Sequence, residues 1–502
     1  MPSYLTPCVP AAYDGVLHAF ALLVQAVDSR ANRSSDHASV ERQIDREGTE
    51  VMRQLFQAWL TVRGQEEPRR DVVGDDGVHR THHRTAIRRV ESLFGEVSVV
   101  HDRVGARGHD ARVPLYASLN LLDSRFTFGV RERVVEEAIR GSFDGVVEAI
   151  QATTGAKVAK RQAEDLVLAA AVDFDAFYEQ TSGPPVTDTR DLLVLSVDGK
   201  GIVMRPDGLR HATRRAAEAG THKLERRLSK GEKRNRKRMA EVASVYDLAR
   251  VPRTADDVTG DLDGAKRAPR PRPRNKRVWA SVEKPLGAVI GEAFSEADGR
   301  DPRRSRRWVA LVDGNKTQIT AIRAAAKDRG VEVTLVLDVI HVIEYLWTAA
   351  WDLFREGDPA AEKWVRKHLV ALLHGRAPVV AAAIRRSATC RRLEKRAGID
   401  KCAAYLLKYK AMLHYDRYLA DGLPIATGVI EGACRHLVKD RMDITGARWG
   451  LAGAEAILRL RSLRVSGDMD AYWDFHRDAE FVRNHASHYA DAEETWLWKA
   501  AA

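Results

Sequence analysis

The sequence predicts an α/β core that is interrupted by an all-helical segment and preceded by a mainly helical region. Three observations carry that prediction. Between residues 192 and 337, five short apolar, β-branched runs alternate with turn signals and helical patterns, as a layered α/β unit requires. From 343 to 423 no strand pattern appears. The first 180 residues read as short helices around one small hairpin. The chain has 502 residues, enough for about three domains at roughly 150 residues each. Its 44% hydrophobic content can fill ordinary cores, which excludes wholesale disorder.

Taken in order, residues 1–83 form an N-terminal helical region, with Val51, Leu55, Trp59 and Val62 at helical spacing and a polar Gly- and Pro-bearing loop after it. In region 84–127, apolar and polar residues alternate around Gly95, which predicts a β-hairpin. Region 128–180 holds three helical patterns. Ser142 is the expected N-cap of the second, which closes at Thr154–Gly155, and the third opens with Lys157, Lys160 and Arg161. A tight turn with cations at the start of the following helix suits a DNA-binding helix-turn-helix; an ordinary helical bundle has the same outline. Residues 181–190 are a linker. The core then runs strand, strand, strand, helix, strand, helix, strand, helix over 191–342, yields to the helical insertion at 343–423, and resumes over 424–502.

The charge is uneven. The chain carries 81 Lys plus Arg against 70 Asp plus Glu, a net of +11. Residues 210–238 alone carry net +9 and residues 266–277 net +7, so the remainder is slightly acidic. Such blocks suit a polyanion, because neutralising phosphates releases condensed counterions; solvated loops are the plainer alternative. The candidate phosphate-contacting residues are Lys157, Lys160 and Arg161, then Arg226, Arg227, Lys233, Arg234, Arg236, Lys237 and Arg238, then Arg270, Arg272 and Arg274. No apolar run reaches the length of about 18 residues that a membrane span needs. The apolar stretch from Val16 to Val27 has no Lys or Arg before it and lacks the basic start of a secretory signal. Cys8, Cys390, Cys402 and Cys434 form no CxxC pair, which argues against a disulfide scaffold and fits a reducing cytoplasm.

Three carboxylates stand out by position. Asp198 follows the apolar run LLVLSV and Asp313 follows WVALV, each beside glycine, while Glu431 sits within the helical pattern VIEGACR. A charge at the end of an apolar strand is costly to bury unless it is paired or binds metal. Taken singly, each aspartate also fits a turn or a helix cap. Two strand carboxylates and one helix carboxylate are the hard-oxygen set that two Mg²⁺ or Mn²⁺ ions need for phosphoryl transfer. Asp338 and His341, in LDVIH, are either a further metal element or a helix cap with its first-turn histidine. Arg435 and Lys439 follow Glu431 at i+4 and i+8, placed to grip a phosphate or to form a salt-bridge ladder. Trp449 fits a base-stacking role or the core. No GxxxxGK[ST], HExxH or GxGxxG signature is present, so no nucleotide cofactor is expected.

The motifs SVDGKG (196–201), KRMAEVASVYD (237–247), LVDGN (311–315), LDVIHVIEYLW (337–347) and GVIEGACRHLVKDRMDITGARWG (428–450) resemble those of bacterial DDE transposases of the ISKra family of insertion sequences, and in pattern the wider Mutator-like group. The run 142–180 shares the resemblance, which covers most of the chain from about residue 85. It implies an RNase H-like catalytic domain with an all-helical insert before the final acid. It also implies Asp198, Asp313 and Glu431 as catalytic metal ligands for two Mg²⁺ or Mn²⁺ ions, with Asp338, His341, Arg435 and Lys439 near the site. Some related transposases follow the catalytic glutamate with lysine at a shorter spacing than Lys439 has here.

The resemblance further implies binding to terminal inverted repeats, release of a 3′-OH by hydrolysis, and attack of that 3′-OH on target DNA. The expected setting is the bacterial cytoplasm, on the nucleoid, as a homodimer or higher oligomer on DNA, with no membrane partner. Two rivals remain at this level: a catalytically inactive or domesticated DNA-binding protein of the same fold, and a metal-dependent nuclease that only hydrolyses.

Overall fold

In the computed structural model, residues 10–181, 190–219, 236–260, 270–444 and 446–490 are described. The chain divides into two units. One contains Met1–Phe177 together with Met469–Ala502, and the other Tyr178–Asp468.

The first unit begins with two helices, α1 (Asp14–Val27) and α2 (His37–Glu66). Asp36 caps α2 by accepting the Ser39 N–H at 3.1 Å. A short ladder, β1 (Val72–Val73) with β2 (His79–Arg80), precedes the three-stranded antiparallel sheet β3 (His82–Ser92), β4 (Gly95–Ala106) and β5 (His109–Arg112). The hairpin pairs His82 with Gly105 through to Ser92 with Gly95, leaving Leu93 and Phe94 as its two-residue turn. One face of this sheet buries Val90, Val97 and Val99 against Leu60 of α2 and Leu115 of α3 (Pro114–Ser118).

Helices α4 (Phe128–Ala138), α5 (Phe143–Thr153) and α6 (Lys160–Ala170) follow, then α7 (Phe174–Gln180). Ser142 caps α5 by accepting the Gly145 N–H at 3.1 Å. Gly155 donates its N–H to Leu93 O at 2.8 Å, and a Cβ there would collide with the Phe94 carbonyl. The end of α5 is therefore bolted to the hairpin turn through a glycine. The next helix starts later than its sequence pattern suggests. Gln162 accepts the Ala159 N–H at 2.9 Å, so α6 begins at Lys160 and leaves Lys157 in the extended link before it.

The sequence divides the chain so that 424–502 completes the catalytic segment. Here the C-terminal helix, Met469–Asn484, packs in the first unit. The reason is a buried polar cluster: Tyr472 Oη–H donates to Ala170 O at 2.6 Å, His476 Nδ1 lies 2.6 Å from Asp173, and Arg131 pairs with Glu480 at 3.2 Å. Arg483 also pairs with Asp173. Buried charges survive only when paired in this way.

The second unit is a five-stranded mixed sheet in the order β10–β9–β6–β7–β8. Its strands are β6 (Leu192–Val203), β7 (Lys237–Leu248), β8 (Arg274–Ser281), β9 (Trp308–Val312) and β10 (Val333–Leu337). The first three form an antiparallel meander; β9 and β10 run parallel to β6. Parallel neighbours need crossovers, supplied by the helices Leu286–Arg300 and Lys316–Asp328. Every residue of β9 is buried, as the run WVALV requires of a strand covered on both faces.

The outer edge of β8 is closed by the helix Leu451–Ser466. Ser466 accepts the Val278 N–H at 3.0 Å, Ser462 that of Ala280 at 3.3 Å, and Glu455 that of Val282 at 2.9 Å. Side chains about one helical turn apart thus satisfy alternate amides of an edge strand that would otherwise be open to pairing. Beyond β10 lie the helices Val339–Ala350, Pro359–Leu373, Ala377–Cys390, Ala397–Lys408 and Tyr415–Ala420. Among the described residues of 343–423 there is no strand. No helix among the described residues is long and apolar enough to cross a membrane.

Gly155 gives a test of the first unit. Gly155→Ala forces a methyl group into the Phe94 carbonyl and is expected to cost about 1–3 kcal/mol, the usual range for overpacking. Chemical denaturation of the full chain, followed by circular dichroism, reads this directly. An unchanged midpoint would show that the turn is not clamped.

Candidate active site

Strand register brings three aspartates together. The β6–β9 pairing sets Ser196 opposite Leu311, and the β9–β10 pairing sets Val312 opposite Leu337. Continued by one or two residues, the same register puts Asp198, Asp313 and Asp338 in one row across three adjacent parallel strands. The Asp338 N–H donates to Val312 O at 2.8 Å, which extends that row past the formal end of β10. Two of the three lie where β9 and β10 stop and helices begin. β6 instead continues through Asp198 to Val203, held by β7 alone.

Asp198 and Asp313 are half-buried, and their oxygens are held by local donors. Asp198 Oδ1 accepts the Gly199 N–H at 2.7 Å, and Asp198 Oδ2 accepts the Cys434 thiol at 3.2 Å. Burial and the neighbouring Asp198 charge push the Cys434 thiol far above its ordinary range, so it stays a protonated donor. Asp313 Oδ1 accepts the Asn315 N–H at 2.8 Å, and Asn315 in turn caps the helix Lys316–Asp328. Gly314 adopts φ +94°, which only glycine takes without strain, and a Cβ there would stand 3.0 Å from Tyr405. Tyr405 Oη–H donates to Asp313 O at 2.9 Å and Tyr409 Oη–H to Gly314 O. Both tyrosines come from the helical insertion, which therefore buttresses the loop that presents Asp313.

Asp338 is fully buried and its carboxylate is saturated. Oδ1 accepts the Ile340 N–H at 3.2 Å and the Thr427 N–H at 3.1 Å; Oδ2 accepts the Thr427 hydroxyl at 2.7 Å and lies 2.8 Å from His341 Nδ1. Burial alone would raise its pKa, but these donors win and hold it below the ordinary carboxylate range. The hydrogen bond to Asp338 lifts His341 to about 9, against the opposing effect of burial. Asp338 thus caps the helix Val339–Ala350 and also grips Thr427, four residues before Glu431.

Glu431 stands in the first turn of the helix Gly428–Ala433, its side chain open to solvent on one side. Partial burial raises its pKa, and the charges of Asp338, Glu344 and Asp198 raise it further against the lowering effect of His341. Among the described residues, no Lys or Arg forms an ion pair with Asp198, Asp313 or Glu431. The cation that offsets these charges is His341, itself held by Asp338.

Asp338, His341 and Glu431 are the group among the described residues whose ligand atoms lie within 4.8 Å of one another. As arranged, two members are committed: Asp338 to four donors and His341 Nδ1 to Asp338. The Glu431 carboxylate is the ligand left open there; His341 Nε2 could serve only after the ring loses a proton, which its lifted pKa opposes. The three carboxylates expected from sequence, Asp198, Asp313 and Glu431, do not form such a group in this arrangement; the Asp198 charge reaches Glu431 and the Asp313 charge reaches His341.

The helix carrying Glu431 changes winding after Ala433. Cys434–Lys439 is a π-helix, a form that recurs at functional sites. The i, i+4, i+8 face expected for Glu431, Arg435 and Lys439 holds for an α-helix, and the π segment shifts the last two around the axis. Arg435 and Lys439 are both exposed, and Arg435 lies 3.9 Å from Asp440. Trp449 belongs to the core: it is buried, donates Nε1–H to Met442 O at 3.0 Å, and lies under the Arg441 guanidinium.

The basic residues divide by what holds them. Lys160 pairs with Asp144 at 2.8 Å, and Arg161 lies 3.6 Å and 3.4 Å from Glu164 and Asp165. Arg238 donates to three backbone carbonyls, of Val282, Gly208 and Glu283, and so serves the fold. Arg274 pairs with Asp191. Lys157, Lys237, Arg270 and Arg272 are exposed and Arg236 is half-buried. Arg226, Arg227, Lys233 and Arg234 lie outside the described residues.

Sequence reasoning missed Thr427, Cys434, Tyr405 and Tyr409. The first two lie at i−4 and i+3 from Glu431, positions that share its helical face, and that spacing is the signal they offered. The tyrosines, about 90 residues from Asp313, left none.

No protein-family model matches the sequence, and no curated protein matches it. Among solved structures, the Drosophila P element transposase strand transfer complex is similar over 74% of this chain and 84% of that chain, at 10% identity and a TM-score of 0.24. A TM-score that low does not define a shared fold.

The Asp338 joint is testable. Asp338→Ala strands two backbone N–H groups, a hydroxyl and the His341 ring, and is expected to cost about 3 kcal/mol; Thr427→Val, which removes one hydroxyl, about 1 kcal/mol. Denaturant midpoints of both variants check the ranking. Equal costs would mean that Asp338 acts on Thr427 alone.

Proposed function

We propose that the chain is a DNA transposase of the bacterial insertion-sequence type its motifs resemble. It would cut DNA at transposon ends and join the freed 3′-OH to target DNA. The observation that carries this reading is the row of carboxylates on adjacent parallel strands, with Glu431 within electrostatic reach of it and, among the described residues, no Lys or Arg paired to Asp198, Asp313 or Glu431. The sheet order, with a three-stranded antiparallel meander flanked by two parallel strands, supports an RNase H-like core. Residues 128–180 are the proposed element for end recognition, working on DNA as part of a homodimer or higher oligomer in the bacterial cytoplasm.

The donor set fits hard divalent cations. Asp198, Asp313 and Glu431 offer carboxylate oxygens only, and a cation would offset the burial and the Asp338, Glu344 and Asp198 charges that raise Glu431. These three residues would hold Mg²⁺ or Mn²⁺, two ions in the full reading. When bound, the metal supplies charge neutralisation at the attacking and leaving oxygens of an in-line displacement. The chain's own residues do the rest. Cys434 and the Gly199 amide fix the Asp198 carboxylate. The Tyr405 and Tyr409 hydroxyls fix the backbone on either side of the Asp313–Gly314 peptide. Asp338 sets the start of the Glu431 helix through Thr427. The basic segments would hold the phosphates of the flanking DNA, contributing affinity without sequence information.

Two outcomes test the reading. Asp198→Asn, Asp313→Asn or Glu431→Gln should each abolish Mg²⁺-dependent cleavage of transposon-end DNA while DNA binding persists. Sequencing the wild-type products shows whether ends are joined to target or only cut. Normal cutting by any one variant removes that residue from the metal set, and cutting without joining makes the protein a nuclease. Second, neutralising Lys223, Arg226, Arg227 and Lys230 should weaken binding to every DNA sequence alike. It should also flatten the slope of log K against log salt by about 0.9 per lost phosphate contact. Arg214 and Arg238 are left out because both hold backbone carbonyls. An unchanged slope would make the segment a solubility feature.

A further inference from the structure

Helices α1 and α2 expose more apolar surface than a self-sufficient hairpin should. From Gly15 to Val27, α1 contains no charged residue, yet Val16 is its one buried side chain. Leu17, Phe20 and Val24, at i, i+3 and i+7, share one face of α1 and are each at least half exposed. On α2, Ile44, Met52, Leu55 and Trp59 share one face and are each 40–44% exposed. Gly48 lies on that same face with open space where a Cβ would be. A helix that is apolar nearly all round is normally buried.

The size and chemistry of this surface indicate what covers it. The seven side chains expose on the order of 600 Å² of apolar surface, at the upper limit of a typical monomer's largest patch and near the roughly 800 Å² that each partner gives a standard interface. Its large Leu, Phe, Met and Trp side chains are the composition of an interface core. Nucleic acid is a poor fit, because α2 carries net −1. Both charge signs alternate along α2 (Glu41, Arg42, Asp45, Arg46), which gives a flank able to pair with its own copy in antiparallel register.

We propose that the α1–α2 hairpin is a self-association surface on which a second copy of this chain seats the same two helices, forming a four-helix interface. Two hairpins related by a two-fold axis bury both apolar faces in one step, as four-helix bundles do. The surface is remote in sequence from the carboxylate site and needs neither DNA nor metal.

Sedimentation velocity of the full chain, without DNA or divalent cations, tests it. At micromolar concentration the wild type should sediment at twice the 56.0 kDa chain mass. The Phe20→Glu/Leu55→Glu double variant should sediment as a single chain, with its dimer dissociation constant raised at least about 30-fold, the effect of losing a hot-spot pair. Because both side chains are exposed, its circular dichroism spectrum should match the wild type, and its thermal midpoint should match that of wild type diluted below the dimer dissociation constant, since dimerisation itself raises the midpoint. A wild type that stays a single chain overturns the proposal. So does a double variant that still dimerises, or one whose thermal midpoint falls below that of the diluted wild type, since that would mean this chain itself covers the face. Glu431→Gln should dimerise as the wild type does, so a failure of the proposed chemistry leaves this result readable on its own.

Discussion

The mixed-sheet unit depends on one buried carboxylate. Asp338 ends β10, begins the helix Val339–Ala350, and receives the chain again at Thr427 after the whole insertion. An ionised group with no exposure is tolerable only because four donors satisfy it. That requirement fixes geometry. The donors come from two places, the first turn of the helix and Thr427, separated by nearly ninety residues, so the carboxylate can be satisfied only when the strand end, helix and returning segment meet. Glu431 sits one turn beyond the point where they do.

The same joint explains how an insertion of about eighty residues is tolerated between two parts of one site. Closing a longer loop costs only slowly more entropy, provided its ends are held close. Here they are: the Val339 N–H donates to Ile425 O at 2.8 Å, beside the Asp338–Thr427 contacts. The insertion repays the connection by sending Tyr405 and Tyr409 back to the Asp313–Gly314 turn. Two rings, 5.0 Å apart and held by the stacked Tyr345, stiffen a backbone turn that glycine alone would leave adaptable.

What could be read in the sequence was whatever local pattern determines. The apolar runs at 192–203, 308–312 and 333–337 announced strands because both their faces are covered, and the hairpin around Gly95 announced itself by alternation. Asp198 and Asp313 stood out because a charge after such a run is unusual. Asp338 and His341 were visible as a pair, with capping and metal binding both open; the four donors around its carboxylate give Asp338 the capping geometry. Long-range pairing was not legible. Nothing local says that Cys434 faces Asp198, that Asp173 waits for His476 from the C-terminal helix, or that Arg238 is spent on carbonyls. A run of cations looks the same whether it faces phosphate or its own backbone.

The carboxylates show how differently a fold can treat the same chemical group. Asp338 is deep, fully donated to, and held below the ordinary carboxylate range. Glu431 is nearer solvent, forms no ion pair with Lys or Arg among the described residues, and is pushed up by its burial and by the charges around it. A site whose innermost acid is already satisfied has no need of a cation there. The residual demand falls outward, on Asp198, Asp313 and Glu431, where the unpaired charge lies and where a polyanionic substrate would otherwise be repelled. That gradient runs from a structural carboxylate inside to carboxylates without a Lys or Arg partner among the described residues outside, so one strand row meets two different electrostatic demands in a chain whose excess charge is basic elsewhere.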